Sequence, residues 1–201
     1  MTSYSREELE AARDRRVPDL FVPGVRLLFV GINPGLWTAA AQAHFARPGN
    51  RFYEALLAGG VIDRRLDVRS GFNARSKSAL LDRGIGITNL VNRATARADE
   101  LGPEELRRGA RSLARKVARW EPRVVAVVGI TAYRTAFDRP NAVVGRQSEK
   151  LAGAELWALP NPSGLNAHYQ VRELARLYRE AAKAAGLELL TPSIRSSRRR
   201  P

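Results

Sequence analysis

Four short, predominantly apolar stretches recur along the chain: RLLFV (26–30), GIGITNLV (84–91), VVAVVG (124–129) and ELWALP (155–160). They are short, uncharged along most of their length and rich in branched residues, a pattern that predicts strands buried on both faces. Between them the apolar spacing lengthens to that of a helix. In LGPEELRRGARSLARKVARWEP, Leu106, Ala110, Leu113, Val117 and Trp120 share one face, Pro103 suits the first turn, and Arg and Lys cover the rest. RFYEALLAGG predicts a second helix, with Asn50 as its N-cap and Gly59–Gly60 as its stop. Shorter helices are predicted over 6–16, about 76–82 and 130–137, and a long one from about Val171 to Ala185. The rest of 61–83 reads as polar and irregular, and DRPNAVVGRQSEKLAG (138–153) as a loop or an edge hairpin.

Strands that alternate with helices predict an α/β protein, a single three-layer α/β/α domain around a mostly parallel central sheet. The length of 201 residues suits one domain with its own core. The domain is expected to span 1–192, and the basic tail 193–201 is expected to be disordered.

Composition narrows the chemistry. The absence of cysteine excludes disulfides, thiolate zinc sites, iron–sulfur clusters and a cysteine nucleophile, and it fits a reducing cytoplasm. The two histidines, His44 and His168, are too few for a histidine-rich metal centre, so no metal or cofactor is expected. The N-terminus MTSYSREELEAARDRR lacks an apolar core, and no apolar run approaches the roughly 20 residues that span a bilayer. A soluble, intracellular protein without a signal peptide or a membrane partner is expected. The net charge of +14 falls only to +10 when the tail arginines Arg195, Arg198, Arg199 and Arg200 are removed. The body of the chain is therefore basic, which points to a polyanionic partner, most simply nucleic acid.

Two of the strand ends carry an Asn-Pro pair, GINPG (31–35) and NPSG (161–164). Ligands of open α/β sheets bind beyond the carboxyl ends of strands. Neither loop has the spacing of a phosphate-binding P-loop, and GINPG holds Asn33 where a nucleophile elbow holds Ser. Read alone, each is equally a tight turn, with Pro34 or Pro162 setting φ, or a site. An asparagine amide cannot act as a general base, but its carbonyl can hold a water and its NH₂ can bond a ligand.

VGINPGL, HFARPGNRF and LPNPSGLN, in that order, resemble the mismatch-specific uracil/thymine DNA glycosylase family, of the uracil-DNA glycosylase superfamily. The resemblance runs on through GITNLVNRATARADEL and VVAVVG and covers roughly residues 25–182. It implies that fold, and an enzyme that flips a base from DNA and hydrolyses its N-glycosidic bond without a cofactor. It assigns Asn33 to positioning the attacking water, with Gly31, Ile32, Pro34 and Phe45 around the base. Backbone groups near Ile32 and Phe45 meet the pyrimidine edge, and the Phe45 ring stacks on its face. Leu165 is implied as a wedge that fills the space of the flipped base, and Gly164 as the point of close approach to its orphaned partner.

Asn161 and Ser163 either bond DNA phosphates or cap their own turn. Asn89 and Asn92 either tune base choice or close the strand end. Where some relatives have Ser-Arg after the wedge, this chain has Asn166-Ala167, with His168 close by. No acid occupies the first motif, which implies slow turnover, and Asp99 and Glu100 are expected to cap the helix that starts near Pro103. None of the four lysines lies in either motif, so monofunctional action is expected. The expected partner is double-stranded DNA containing uracil or mismatches, bound by a monomer with no obligate protein partner. The competing reading is a non-catalytic binder of damaged or single-stranded DNA; a small-molecule hydrolase leaves the arginine excess without a role.

Overall fold

The first three strands are buried at every position, as continuous apolar runs require. In the computed structural model, which describes residues 3–164 and 169–191, β1 (Leu27–Gly31), β2 (Ile85–Asn89) and β3 (Val124–Val128) are joined by β4 (Gly145–Leu151) and β5 (Ala154–Leu159). The sheet order is β2-β1-β3-β5-β4, parallel except for β4, which runs antiparallel to β5. β4 is the hairpin arm that the sequence left open as a loop. Its burial alternates strictly, half-covered then exposed, because it lies at the sheet's edge.

Successive residues of each strand feed opposite layers. Phe29, Ile87, Ala126 and Leu159 face one core with α3 (Phe52–Ala58) and α7 (Val171–Ala184). Leu28, Val30, Val125 and Val127 face the other, with α5 (Pro103–Trp120) and α6 (Ile130–Ala136). The result is the expected α/β/α sandwich. Among the described residues, no helix is long and apolar enough to cross a membrane.

Several boundaries moved, each for a local reason. α1 (Arg6–Glu10) stops well short of residue 16, and the chain then turns at Asp14 with φ +60°. The six-residue α2 (Leu36–Ala41) was not expected: it follows Gly35, which has no capping side chain. α4 (Ala74–Leu81) begins at Asn73, whose side chain makes a capping box with Ser76. Asn50 lies one residue before the N-cap position of α3, yet its Oδ1 still accepts from the Phe52 amide at 2.9 Å. Asp99 and Glu100 do not cap α5. They form a short 3₁₀ turn (Ala98–Glu100), and the N-cap is Gly102, with no side-chain bond.

The parallel strands place the carboxyl ends of β1, β2, β3 and β5 along one edge. β1 and β3 are neighbours at the centre of the sheet; the connection after β1 leads through α3 and α4 to β2 on one side, and the connection after β3 leads through α6 to β4 and β5 on the other. This switch point opens a crevice beyond Gly31. Phe29 sits fully buried beneath it, edge-on to Phe52 at 5.1 Å and tilted against Tyr178 at 5.2 Å. Phe29→Ala is expected to cost about 3–5 kcal/mol of stability in urea denaturation; a loss below about 1 kcal/mol would contradict this packing.

Candidate active site

A cleft of about 710 Å³ occupies the switch point, lined by Ile32 and Asn33 after β1, Asn89 at the end of β2, Val128 at the end of β3 and Asn161 and Ser163 after β5. Gly35, Thr38, Phe45, Arg47, Asn50 and the stretch from Thr95 to Asp99 complete its walls. The two Asn-Pro loops, about 130 residues apart in the chain, thus meet across one cavity.

Asn33 is held by its amide nitrogen. Nδ2 donates to the Arg93 carbonyl at 2.9 Å, the Pro34 carbonyl at 3.1 Å and Thr95 Oγ1 at 2.7 Å. Two of these partners can only accept, and Thr95 Oγ1 gives its own proton to the Arg97 carbonyl at 2.7 Å. The nitrogen must therefore occupy that side, since a flipped amide would set its oxygen against two carbonyls. The consequence corrects the expectation from sequence: the NH₂ is not available to a ligand, and the carbonyl oxygen is what Asn33 can offer. Thr95, 1% exposed, is the residue that sequence reasoning missed. Its only signal was a position in the motif between β2 and α5, where a threonine is otherwise unremarked.

Gly31 does not line the cleft; it makes room for it. It pairs in register with Asn89, and a Cβ there would lie 2.5 Å from Asn89 Oδ1 and 3.4 Å from the Phe45 ring. Phe45 adopts φ +56°, a left-handed conformation costing a bulky residue about 1–2 kcal/mol. Tyr53 Oη donating to the His44 carbonyl at 2.8 Å holds this turn, and Phe45 stacks on Phe52 at 3.9 Å. Pro34 is buried behind Asn33, its carbonyl taken by Thr95 N at 3.1 Å and by Nδ2. The Ile32 carbonyl accepts from Val91 N at 3.0 Å, and its side chain packs where Gly129 lacks one.

Asn92 is not part of the cleft. Its amide makes both bonds to the backbone of Val17, at 3.0 and 2.9 Å, and so fixes the N-terminal segment. Asn161 Oδ1 accepts from Ser163 N at 3.0 Å, the turn-capping alternative, while both residues still border the cavity. Gly164 sits on an adjoining smaller cavity with Arg47 and Pro48. Leu165, Asn166 and His168, like the tail 193–201, lie outside the described residues. Asp99 does border the cleft, paired with Arg97, whose guanidinium holds the carboxyl below its usual range. Among the described residues, no cluster of three or more His, Cys, Asp or Glu is placed to hold a metal ion.

The family model of the uracil DNA glycosylase superfamily matches residues 18–184. The chain belongs to the uracil DNA glycosylase superfamily. Its fold is also that of the solution NMR structure of a candidate uracil DNA glycosylase from Methanosarcina acetivorans, at 18% identity and a TM-score of 0.55, covering 84% of this chain and 98% of the other. Membership makes it a DNA glycosylase, a hydrolase acting on DNA.

Asn89, at the floor of the cleft, is oriented by a buried neutral histidine. His44 is 1% exposed, and burial lowers its pKa to about 4. Its Nε2 faces the Pro18 carbonyl at 3.0 Å, so it carries the proton, and Nδ1 accepts from Asn89 Nδ2 at 3.4 Å. The chain Pro18–His44–Asn89 thereby directs Asn89 Oδ1 away from His44, over Gly31. In the unfolded chain the imidazole titrates near 6.5, so as pH falls from 6.5 towards 4 only the unfolded state gains a proton there. Stability contributed at neutral pH is expected to fall by about 3 kcal/mol across that window. Urea melts of wild type and His44→Gln at pH 7 and pH 4.5 check this: the variant should lose distinctly less between them.

Proposed function

We propose that this protein is a monofunctional glycosylase that hydrolyses the N-glycosidic bond of uracil in DNA, including uracil in G·U mismatches. The observation that carries the proposal is the bonding of Asn33. With Nδ2 committed to three acceptors, its carbonyl can accept a hydrogen bond from a water at the cleft and aim that water's oxygen at C1′ of a flipped nucleotide. A C1′–O bond forms from the water and the C1′–N1 bond breaks. Its electron pair leaves with the base, and the water's proton passes to the base or to solvent.

Base choice is supported by Asn89. Its Oδ1 complements the N3–H of uracil, and the Nδ2 proton not given to His44 complements a carbonyl oxygen of the same edge. Phe45, backed by Phe52, supplies an apolar surface for the ring. No lysine borders the cleft, and Lys116 is bonded to Asp19 and Thr88, which favours water over an amine as nucleophile. Asp99 is a weak base because Arg97 stabilises its ionised form, so turnover rests on water placement and leaving-group stabilisation, and is slow. Exposed Arg47 lies where the base cleft adjoins two neighbouring cavities, suited to a phosphate of duplex DNA.

A duplex oligonucleotide with one G·U pair tests the proposal. Wild type should yield an abasic site, and Asn33→Ala should be slower by about 10²-fold or more with DNA binding retained. Equal product from both would sink the mechanism, and no product from wild type would sink the activity. Thr95→Val, which removes one of the three anchors, should lower the single-turnover rate by about 10-fold, and Thr95→Ser should restore it.

A further inference from the structure

The NPSG loop is held by a residue on the far side of the cleft. Arg51, which precedes α3, donates its backbone N–H to the Pro162 carbonyl at 3.0 Å. Its guanidinium reaches further: Nη2 donates to the carbonyls of Ser163 and Gly164, both at 3.1 Å. Nη1 donates to the Tyr169 carbonyl at 2.5 Å and to Oε1 of Gln170, the N-cap of α7, at 3.2 Å. The two loops also touch directly, since a Cβ on Gly164 would lie 2.8 Å from the Gly49 carbonyl oxygen. The segment that carries Phe45 and the loop that carries Asn161 and Ser163 are one mechanical unit, joined at Arg51.

We propose that Arg51 is a positioning residue that presets the 161–164 loop, and the start of α7, against the segment carrying Phe45 before DNA binds. This rests on the glycosylase reading above. An arginine on a DNA-facing surface would ordinarily be assigned to a phosphate. Here the planar fork is matched to carbonyls on both sides of a short stretch of chain, and four of its five N–H groups are directed at them. A lysine, with a single compact ammonium, cannot reproduce that pattern. Drawing a base from a duplex costs unstacking free energy, which contacts from a ready-formed loop offset. A loop ordered only on binding adds its own entropic cost. A uracil already in single-stranded DNA avoids the unstacking step, so its excision depends far less on Arg51.

The test compares wild type, Arg51→Ala and Arg51→Lys for single-turnover excision of uracil from G·U duplex and from the same strand alone, with thermal melts alongside. Both variants should lose about 10-fold or more on the duplex and stay within about 3-fold of wild type on the single strand. Equal loss on both substrates by a folded variant, or full duplex activity in Arg51→Lys, overturns the proposal; if Arg51→Ala does not fold, Arg51→Lys decides. Hydrogen exchange of the free protein is independent of activity. In the variants the amides of Ser163, Gly164, Tyr169 and Gln170 should exchange about 10-fold faster, with β1 and β3 unchanged. Unchanged exchange at those four amides overturns the assignment even if excision is altered, and absence of excision by wild type counts against the glycosylase reading instead.

Discussion

The absence of a side chain at Gly31 is the constraint around which the cleft is built. The sheet pairs Gly31 with Asn89, and Phe45 turns back over the same spot, so three residues from separate parts of the chain compete for one volume. Any Cβ would push the Asn89 amide aside, and with it one wall of the cleft. The strand therefore ends on glycine for a steric reason. Pro34 and Thr95 then continue the pairing of β1 and β2 past their ends and fix the Asn33 amide against it.

Asn33 and Asn89, the amides at the ends of β1 and β2, are oriented by neutral partners rather than by ions. Desolvation keeps the buried His44 uncharged, and a chain of hydrogen bonds from a backbone carbonyl sets which way Asn89 points. Asn33 is oriented in the same way, through carbonyls and a hydroxyl. Fixed dipoles of this kind need no reorganisation when charge develops on a departing base, and they act most strongly where water is excluded. Arg97 with Asp99 borders the cleft, and the pairs of Arg93 with Glu105 and Asp14 and of Arg13 with Glu100 buttress the loop from Arg93 to Glu100. Their side chains are largely solvated, so they order that loop more than they stabilise the fold.

Two different roles for arginine emerge from one basic composition. Exposed Arg47 at the rim is suited to phosphate, whereas Arg51 directs its guanidinium at the protein's own carbonyls. The positive charge of the chain, read as a whole, does not separate the two. Only the hydrogen-bond partners do.

The sequence determined the architecture, because unbroken apolar runs and a long amphipathic helix leave few alternatives to a parallel sheet covered on both faces. It also marked both Asn-Pro loops as strand ends and, by resemblance, the uracil DNA glycosylase superfamily. It misread what depends on distant partners. Asn92 looked equivalent to Asn89, yet one bonds the N-terminal segment and the other the cleft, since only three-dimensional position decides what an amide meets. Asp99 and Glu100 looked like helix caps, but the chain turns once more before α5 begins. Thr95 and Arg51 lie within the quoted motifs, yet nothing local marks their role, because a residue that orients another is defined by a contact across 62 positions for Asn33, and across more than 110 for the NPSG loop. Local propensity encodes the strand and where it stops; the direction in which Asn33 points is set by the tertiary contacts that claim its nitrogen.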